Sequence, residues 1–262
     1  MAKICFVLGA GGARGIAHIG FLQAMEENGI IPDCIAGCSM GSVVGACYAK
    51  GIKPTKMMEI VDSLKLSDIA DVSLFPFNKK SLLRSVKLRK KLESVIGEET
   101  TFEQLEIPFE CIAADIVSGE VVVLKEGSIT EAIRASSAIP TVFHPVEKDG
   151  RVLVDGAILM PLPLNCVKDF KADIVIAVDV LGDLKTYDSN KGLLSHLLRV
   201  VDVNSAYLSS AHVKSFKPNL VIKPNLEDMS QYKVERLNFA YERGYKAGLE
   251  NAKKILKIIK KK

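Results

Sequence analysis

Residues 37–41 read Gly37-Cys38-Ser39-Met40-Gly41, a serine with a glycine two positions away on either side. Between a strand and a helix, such a pentapeptide turns so tightly that the serine hydroxyl projects from the carboxyl edge of a sheet, with the Met40 N–H aimed at the same spot. Ser39 is therefore a candidate nucleophile for acyl transfer. The plainer reading is a turn without chemistry, and the context argues against it. A short apolar run from Cys34 to Gly37 precedes the serine, and a small-residue helical run from Ser42 to Ala49 follows.

An acyl-transfer serine needs donors for the oxyanion and a base for its proton. Gly9-Ala10-Gly11-Gly12-Ala13-Arg14-Gly15 follows the first apolar run and leads into a helical pattern. A glycine-rich turn of this kind presents backbone N–H groups where a helix N-terminus concentrates positive charge, so it is suited to hold an anion. Dinucleotide folds use the same device. Their fingerprint, however, places its third glycine where this chain has Arg14 and ends the second strand on an acid, whereas Asp33 precedes that strand here. An oxyanion loop, a nucleotide site and a packing turn all remain open from this loop alone.

For the base, four histidines come first. His18 lies one turn after Arg14, where packing or orienting the loop is its natural role, and His196 and His212 fall in a long helical pattern without a motif. His144, in Pro140-Thr-Val-Phe-His-Pro145, is the one histidine placed to complete a triad. If none serves, a carboxylate must take the proton directly. Asp155, at the end of an apolar run and followed by Gly156-Ala157, is the best placed, although Asp-Gly is also a favoured turn dipeptide.

The elements that must position these groups alternate. Ile4–Leu8, Cys34–Gly37, Ile107–Ile116, Val121–Leu124, Val152–Val154, Ile174–Val180 and Leu220–Ile222 read as strands. Residues 13–28, 41–50, 54–64, 79–97, 129–137, 190–214 and 230–260 carry apolar positions three and four apart and read as helices. That order predicts a layered α/β fold with a largely parallel sheet. Segments 107–125 and 149–156 are the expected antiparallel exceptions, turning at Ser118-Gly119 and Asp149-Gly150. Without repeats or linkers, residues 1–262 are expected to form a single domain.

The chain has 262 residues, 48% hydrophobic and 25% charged, which excludes a tail or a coil. With 35 basic against 31 acidic residues the net charge is only +4, too balanced for a nucleic-acid wrapper. Six scattered cysteines without CxxC pairs or histidine neighbours read as reduced core residues, and neither a metal nor another cofactor is implied. The N-terminal apolar run is too short for a signal peptide and no run approaches a membrane span, so a cytoplasmic protein is expected, peripheral to a membrane at most. Two basic stretches could make such peripheral contact with anionic headgroups. One is Val72–Leu92, which holds seven basic residues and no acid; the other is the amphipathic C-terminal helix over 230–262, whose last ten residues hold six lysines. Solvated helix faces are the plainer reading of both. The segment 66–92, with Leu74-Phe-Pro-Phe77, would also suit a lid beside the serine.

Taken together, the glycine loop, the serine pentapeptide and Asp155-Gly156-Ala157 resemble the patatin-like phospholipase family in order and spacing. The resemblance extends to Gly15-Ile-Ala-His-Ile-Gly20, Arg134-Ala-Ser-Ser-Ala-Ile-Pro140 and the hairpin before Asp155. It implies a three-layer α/β/α fold and a Ser-Asp dyad, without histidine, that cleaves lipid esters. Carried over, Ser39 is the nucleophile and Asp155 the base; Gly11, Gly12, Arg14 and Met40 form the oxyanion hole, and Gly9, Gly15, Gly37, Gly41, Gly156 and Ala157 complete the motifs. Many members have three consecutive glycines before Ala-Arg-Gly, where this chain has Ala10-Gly11-Gly12. Acyl-carrier transacylases share the serine pentapeptide but pair it with histidine, so dependence on Asp155 separates that alternative. A binding protein that retains the loop and elbow without turnover is a third.

Overall fold

The computed structural model describes residues 2–63, 86–140, 142–181 and 192–262. Its strands are β1 (Ile4–Leu8), β2 (Cys34–Gly37), β3 (Phe109–Asp115), β4 (Glu120–Leu124), β5 (Val146–Lys148), β6 (Arg151–Asp155), β7 (Ile174–Val178) and β8 (Leu220–Ile222). Its helices are α1 (Ala17–Glu27), α2 (Met40–Ala49), α3 (Pro54–Ser63), α4 (Val86–Ile96), α5 (Ile129–Ser136), α6 (Cys166–Phe170), α7 (Leu193–Phe216) and α8 (Leu237–Lys260).

All eight strands share one sheet, ordered β5-β6-β3-β2-β1-β7-β8 with β4 added to β3. The β1–β2, β1–β7, β2–β3 and β7–β8 pairs are parallel; β4 and β6 run antiparallel to β3, and β5 antiparallel to β6. Period-two alternation divides the core. Ile4, Phe6 and Leu8 face α1, α2 and α8, whereas Cys5 and Val7 face Leu162, Leu164 and Phe170 on the other side. The result is a three-layer α/β/α sandwich.

The register of β3 decides where the site forms. Gly37 of β2 and Leu124 of β4 both pair with Cys111, so they lie on opposite edges of β3. Val121 of β4 and Val154 of β6 both pair with Ala114 and are likewise on opposite edges. β2 and β6 therefore follow one another along the same edge, running toward each other. Their carboxyl ends meet two residues apart in register, Gly37 at Cys111 and Asp155 at Ala113.

Several boundaries differ from the sequence reading. The helix expected from residue 13 opens as a 3-10 turn, Gly12–Ile16, before α1 begins at Ala17. The expected hairpin starts earlier, at Val146, and turns at Asp149-Gly150, where both residues adopt positive φ. The C-terminal helix begins at Leu237 rather than 230, because Arg236 is left-handed, with φ 61°. Its apolar face is narrower than the spacing suggested: Ala252 and Ile255 are buried, but Leu249 is exposed.

α8 lies along α1 at backbone contact. A Cβ on Gly244 would strike the Ala17 carbonyl, and one on Gly248 would reach the Ala24 side chain at 2.6 Å. These contacts run in the same sense along both helices, so the exposed lysines 253, 254, 257 and 260 lie toward the end of α1 remote from the glycine loop.

Candidate active site

Cys38 and Ser39 join β2 to α2, with Ser39 directly before the helix. Its backbone sits at φ 53°, ψ −123°, a conformation that costs a non-glycine residue about 1–3 kcal/mol and needs support from its surroundings. The support is specific. The Ser39 N–H donates to Ser136 Oγ at 3.0 Å, and the Ser42 hydroxyl donates to the Ser39 carbonyl at 2.6 Å. Gly41 permits the turn: a Cβ there would lie 2.6 Å from the Gly9 carbonyl and still closer to that of Leu8.

The Ser39 hydroxyl donates to Asp155 Oδ2 at 2.6 Å. Asp155 ends β6 and caps the short turn Gly156–Ile158, its Oδ1 accepting the Ala157 N–H at 2.9 Å. The Cys38 thiol lies 4.0 Å from the same oxygen. Ser39 and Asp155 are both buried. Burial pushes the Asp155 carboxyl up to about 6, against the opposing pull of the Ser39 and Ala157 hydrogen bonds.

The glycine loop is pinned from three directions. Gly9 N–H donates to the Val178 carbonyl, Ala10 N–H to that of Pro161, and Ala13 N–H to that of Gln231. The N–H groups of Gly11, Gly12 and Met40 have no partner among the described residues and stand beside Ser39. Arg14 requires a correction. Its N–H donates to the Gly11 carbonyl, and its guanidinium donates to the carbonyls of Met229 and Leu181, so Arg14 is a strut of the loop rather than an oxyanion donor.

His18 is buried against the same loop, 2.8 Å from the Gly9 carbonyl through Nε2, and burial lowers its pKa to about 4. The imidazole is neutral and orients the loop. His144 is half-buried and lines neither cavity at Ser39; His196 is exposed, and His212 packs edge-on against Phe216. No histidine occupies the position that Asp155 holds against the serine.

Among the described residues, two cavities share Ser39 in their lining. The larger, about 220 Å³, runs along Met40, Val43, Val44 and Cys47 of α2 and is closed by Met57, Ile60 and Val61 of α3 with Lys91 and Val95 of α4. It is almost wholly apolar. The smaller, about 30 Å³, lies on the Asp155 side and includes Ser205, Gln231 and Tyr232. Most of the segment proposed as a lid, residues 66–85, lies outside the described residues; only its end enters α4.

Residues 6–166 match the family model for patatin-like phospholipase. The chain belongs to the patatin-like phospholipase family. An uncharacterized NTE family protein of Mycobacterium tuberculosis is 39% identical over 180 residues, covering 69% of this chain and 49% of that protein. Human patatin-like phospholipase domain-containing protein 6 is 33% identical over 199 residues, 72% of this chain but 14% of the relative. The chain thus spans half or less of the length of these curated relatives. Among solved structures, VipD from Legionella pneumophila superposes with a TM-score of 0.62 at 14% identity, covering 97% of this chain and 67% of that one, a likeness of fold.

Three parts of this patatin-like site escaped the sequence reading. Ser136 sits in the quoted Arg134–Pro140 stretch, but nothing in its spacing tells that it receives the N–H of Ser39. Gln231 and Tyr232 lie in a segment read as the start of a helix, beyond the residues that match the family. Among the described residues, no cluster of metal-ligating side chains is present and no helix is long and apolar enough to cross a membrane.

Proposed function

We propose that the protein hydrolyses carboxylic esters of lipids, with Ser39 as nucleophile and Asp155 as its base. The observation that carries this reading is the 2.6 Å hydrogen bond from the Ser39 hydroxyl to a buried carboxylate, beside unengaged N–H groups and an apolar cavity.

The Ser39 oxygen attacks the ester carbonyl while Asp155 takes its proton. An ordinary carboxylate, with a pKa near 4, is a poor base for an alcohol. Burial helps in two ways: it raises the basicity of Asp155 and keeps the transferred proton out of bulk water. The developing oxyanion meets the N–H groups of Gly11, Gly12 and Met40. A donor of this kind contributes on the order of 10²–10³ in rate in acyl-transfer enzymes. Asp155 then passes the proton to the leaving alkoxide. Water attacks the acyl-serine, its proton returns through Asp155 to Ser39, and a carboxylic acid departs.

The apolar cavity takes the acyl chain. Each methylene buried there should raise kcat/KM about fourfold until the cavity is filled. Hydrolysis of a series of esters of increasing acyl length by wild type and Ser39→Ala tests the reading. The expected result is a rise with length followed by a plateau, with Ser39→Ala inactive throughout; undiminished turnover by Ser39→Ala would overturn it.

A further inference from the structure

Gly12, Ser39 and Ile139 line both cavities, so the nucleophile stands where the two meet. Asp155 lines only the small one. That asymmetry assigns the two halves of an ester. When the acyl carbon bonds to Ser39 Oγ and its bond to the alkoxy oxygen breaks, the proton from Ser39 must travel through Asp155 to that oxygen. The alkoxy oxygen therefore lies on the Asp155 side, and the acyl chain turns the other way, into the apolar cavity.

The first carbon of the alcohol must then enter the smaller of the two cavities, about 30 Å³ against 220 Å³ and open on one side. Its wall is braced by hydrogen bonds. The Tyr232 hydroxyl lies 2.6 Å from Asp202 Oδ1, and the Gln231 side-chain amide donates to the same oxygen. Across from them, the Ser205 hydroxyl donates to the Ala157 carbonyl at 3.3 Å and Asn204 Nδ2 to the Ile158 carbonyl at 3.0 Å, tying α7 to the turn after Asp155. Val201 adds a β-branched side chain to this wall.

We propose that the site selects esters of primary alcohols over esters of secondary alcohols, with Tyr232 and Val201 setting the selection; this rests on the dyad reading above. A primary ester places one unbranched CH₂ beside Asp155. A secondary ester places a second carbon against the braced wall. Deacylation uses the same space, because water attacks from the side on which the alcohol left.

The test compares n-butyl and sec-butyl octanoate, which share one acyl group, each normalised to its hydroxide-catalysed rate. Wild type should favour n-butyl octanoate in kcat/KM by about tenfold or more, the usual range for one misplaced carbon in a shaped pocket. Tyr232→Ala and, independently, Val201→Ala should each lower that ratio by raising turnover of the sec-butyl ester. A wild-type ratio within about twofold of unity, well below that range, would overturn the proposal. So would an unchanged ratio in both variants, or labelling of Ser39 by a fluorophosphonate with turnover of neither ester. Folded wild type that takes up no fluorophosphonate would instead remove the dyad reading, and the selection with it.

Discussion

Ser39 Oγ and Asp155 Oδ2 are 2.6 Å apart although 116 residues separate them in sequence. The register of β3 accounts for the contact. β2 and β6 occupy one edge of that strand from opposite directions, and each ends where the other ends. The serine is the second residue past β2 and the aspartate is the last residue of β6, so the sheet itself fixes the pair.

A base whose pKa stands near 6 gives the activity an acid limb. In the proposed role Asp155 would accept the serine proton only when ionised, so kcat/KM should rise with pH through about 6 and level off above it. His18, with a pKa near 4 and no contact with the Ser39 hydroxyl, should leave no limb of its own above pH 5. A pH profile of ester hydrolysis checks this. A His18→Gln variant that retains activity should show the same limb.

The same shift links to stability. Folding raises the Asp155 pKa from about 4 to about 6, so the folded state holds this proton more tightly than the unfolded chain does. The associated stability is fully present below about pH 4 and is lost as pH rises through 6. Asp155→Asn carries no such ionisation. Between pH 4 and pH 8 the stability of the variant relative to wild type should therefore rise by about 2–3 kcal/mol, on top of whatever pH-independent offset the substitution brings. Urea titrations of both proteins at the two pH values measure it, with the other titrating groups cancelling in the difference.

Ser136 supports the strained elbow from α5. Ser136→Ala leaves the buried N–H of Ser39 without an acceptor, which should cost about 1–3 kcal/mol in stability. Because the lost bond fixes the nucleophile rather than the substrate, kcat should fall more than KM rises. Steady-state kinetics with one ester, alongside a urea titration, separates the two effects.

Much of this site was legible in the residues. The glycine loop, the serine turn and Asp155 each follow a strand whose apolar run is plain, and local patterns of that kind survive folding with shifts of a few residues. The edge-sharing of β2 and β6 was not legible, because pairing between distant strands leaves no local periodicity. Arg14 shows the same limit. The family resemblance makes it an oxyanion donor, yet its guanidinium is held by the carbonyls of Met229 and Leu181, more than 160 residues away. Gln231 and Tyr232 were hidden by an apolar spacing that continues the pattern of α8 upstream of Arg236, where the backbone is not helical.

The proposed mechanism stands on the activation of Ser39 by Asp155. Reaction of wild type, Ser39→Ala and Asp155→Asn with a fluorophosphonate probe, read by intact mass, tests it most directly without requiring the natural ester. One adduct is expected on wild type, none on Ser39→Ala, and labelling of Asp155→Asn should be slowed by about 10²–10⁴-fold, the usual contribution of a general base. Wild-type labelling at an equal rate in Asp155→Asn would contradict it.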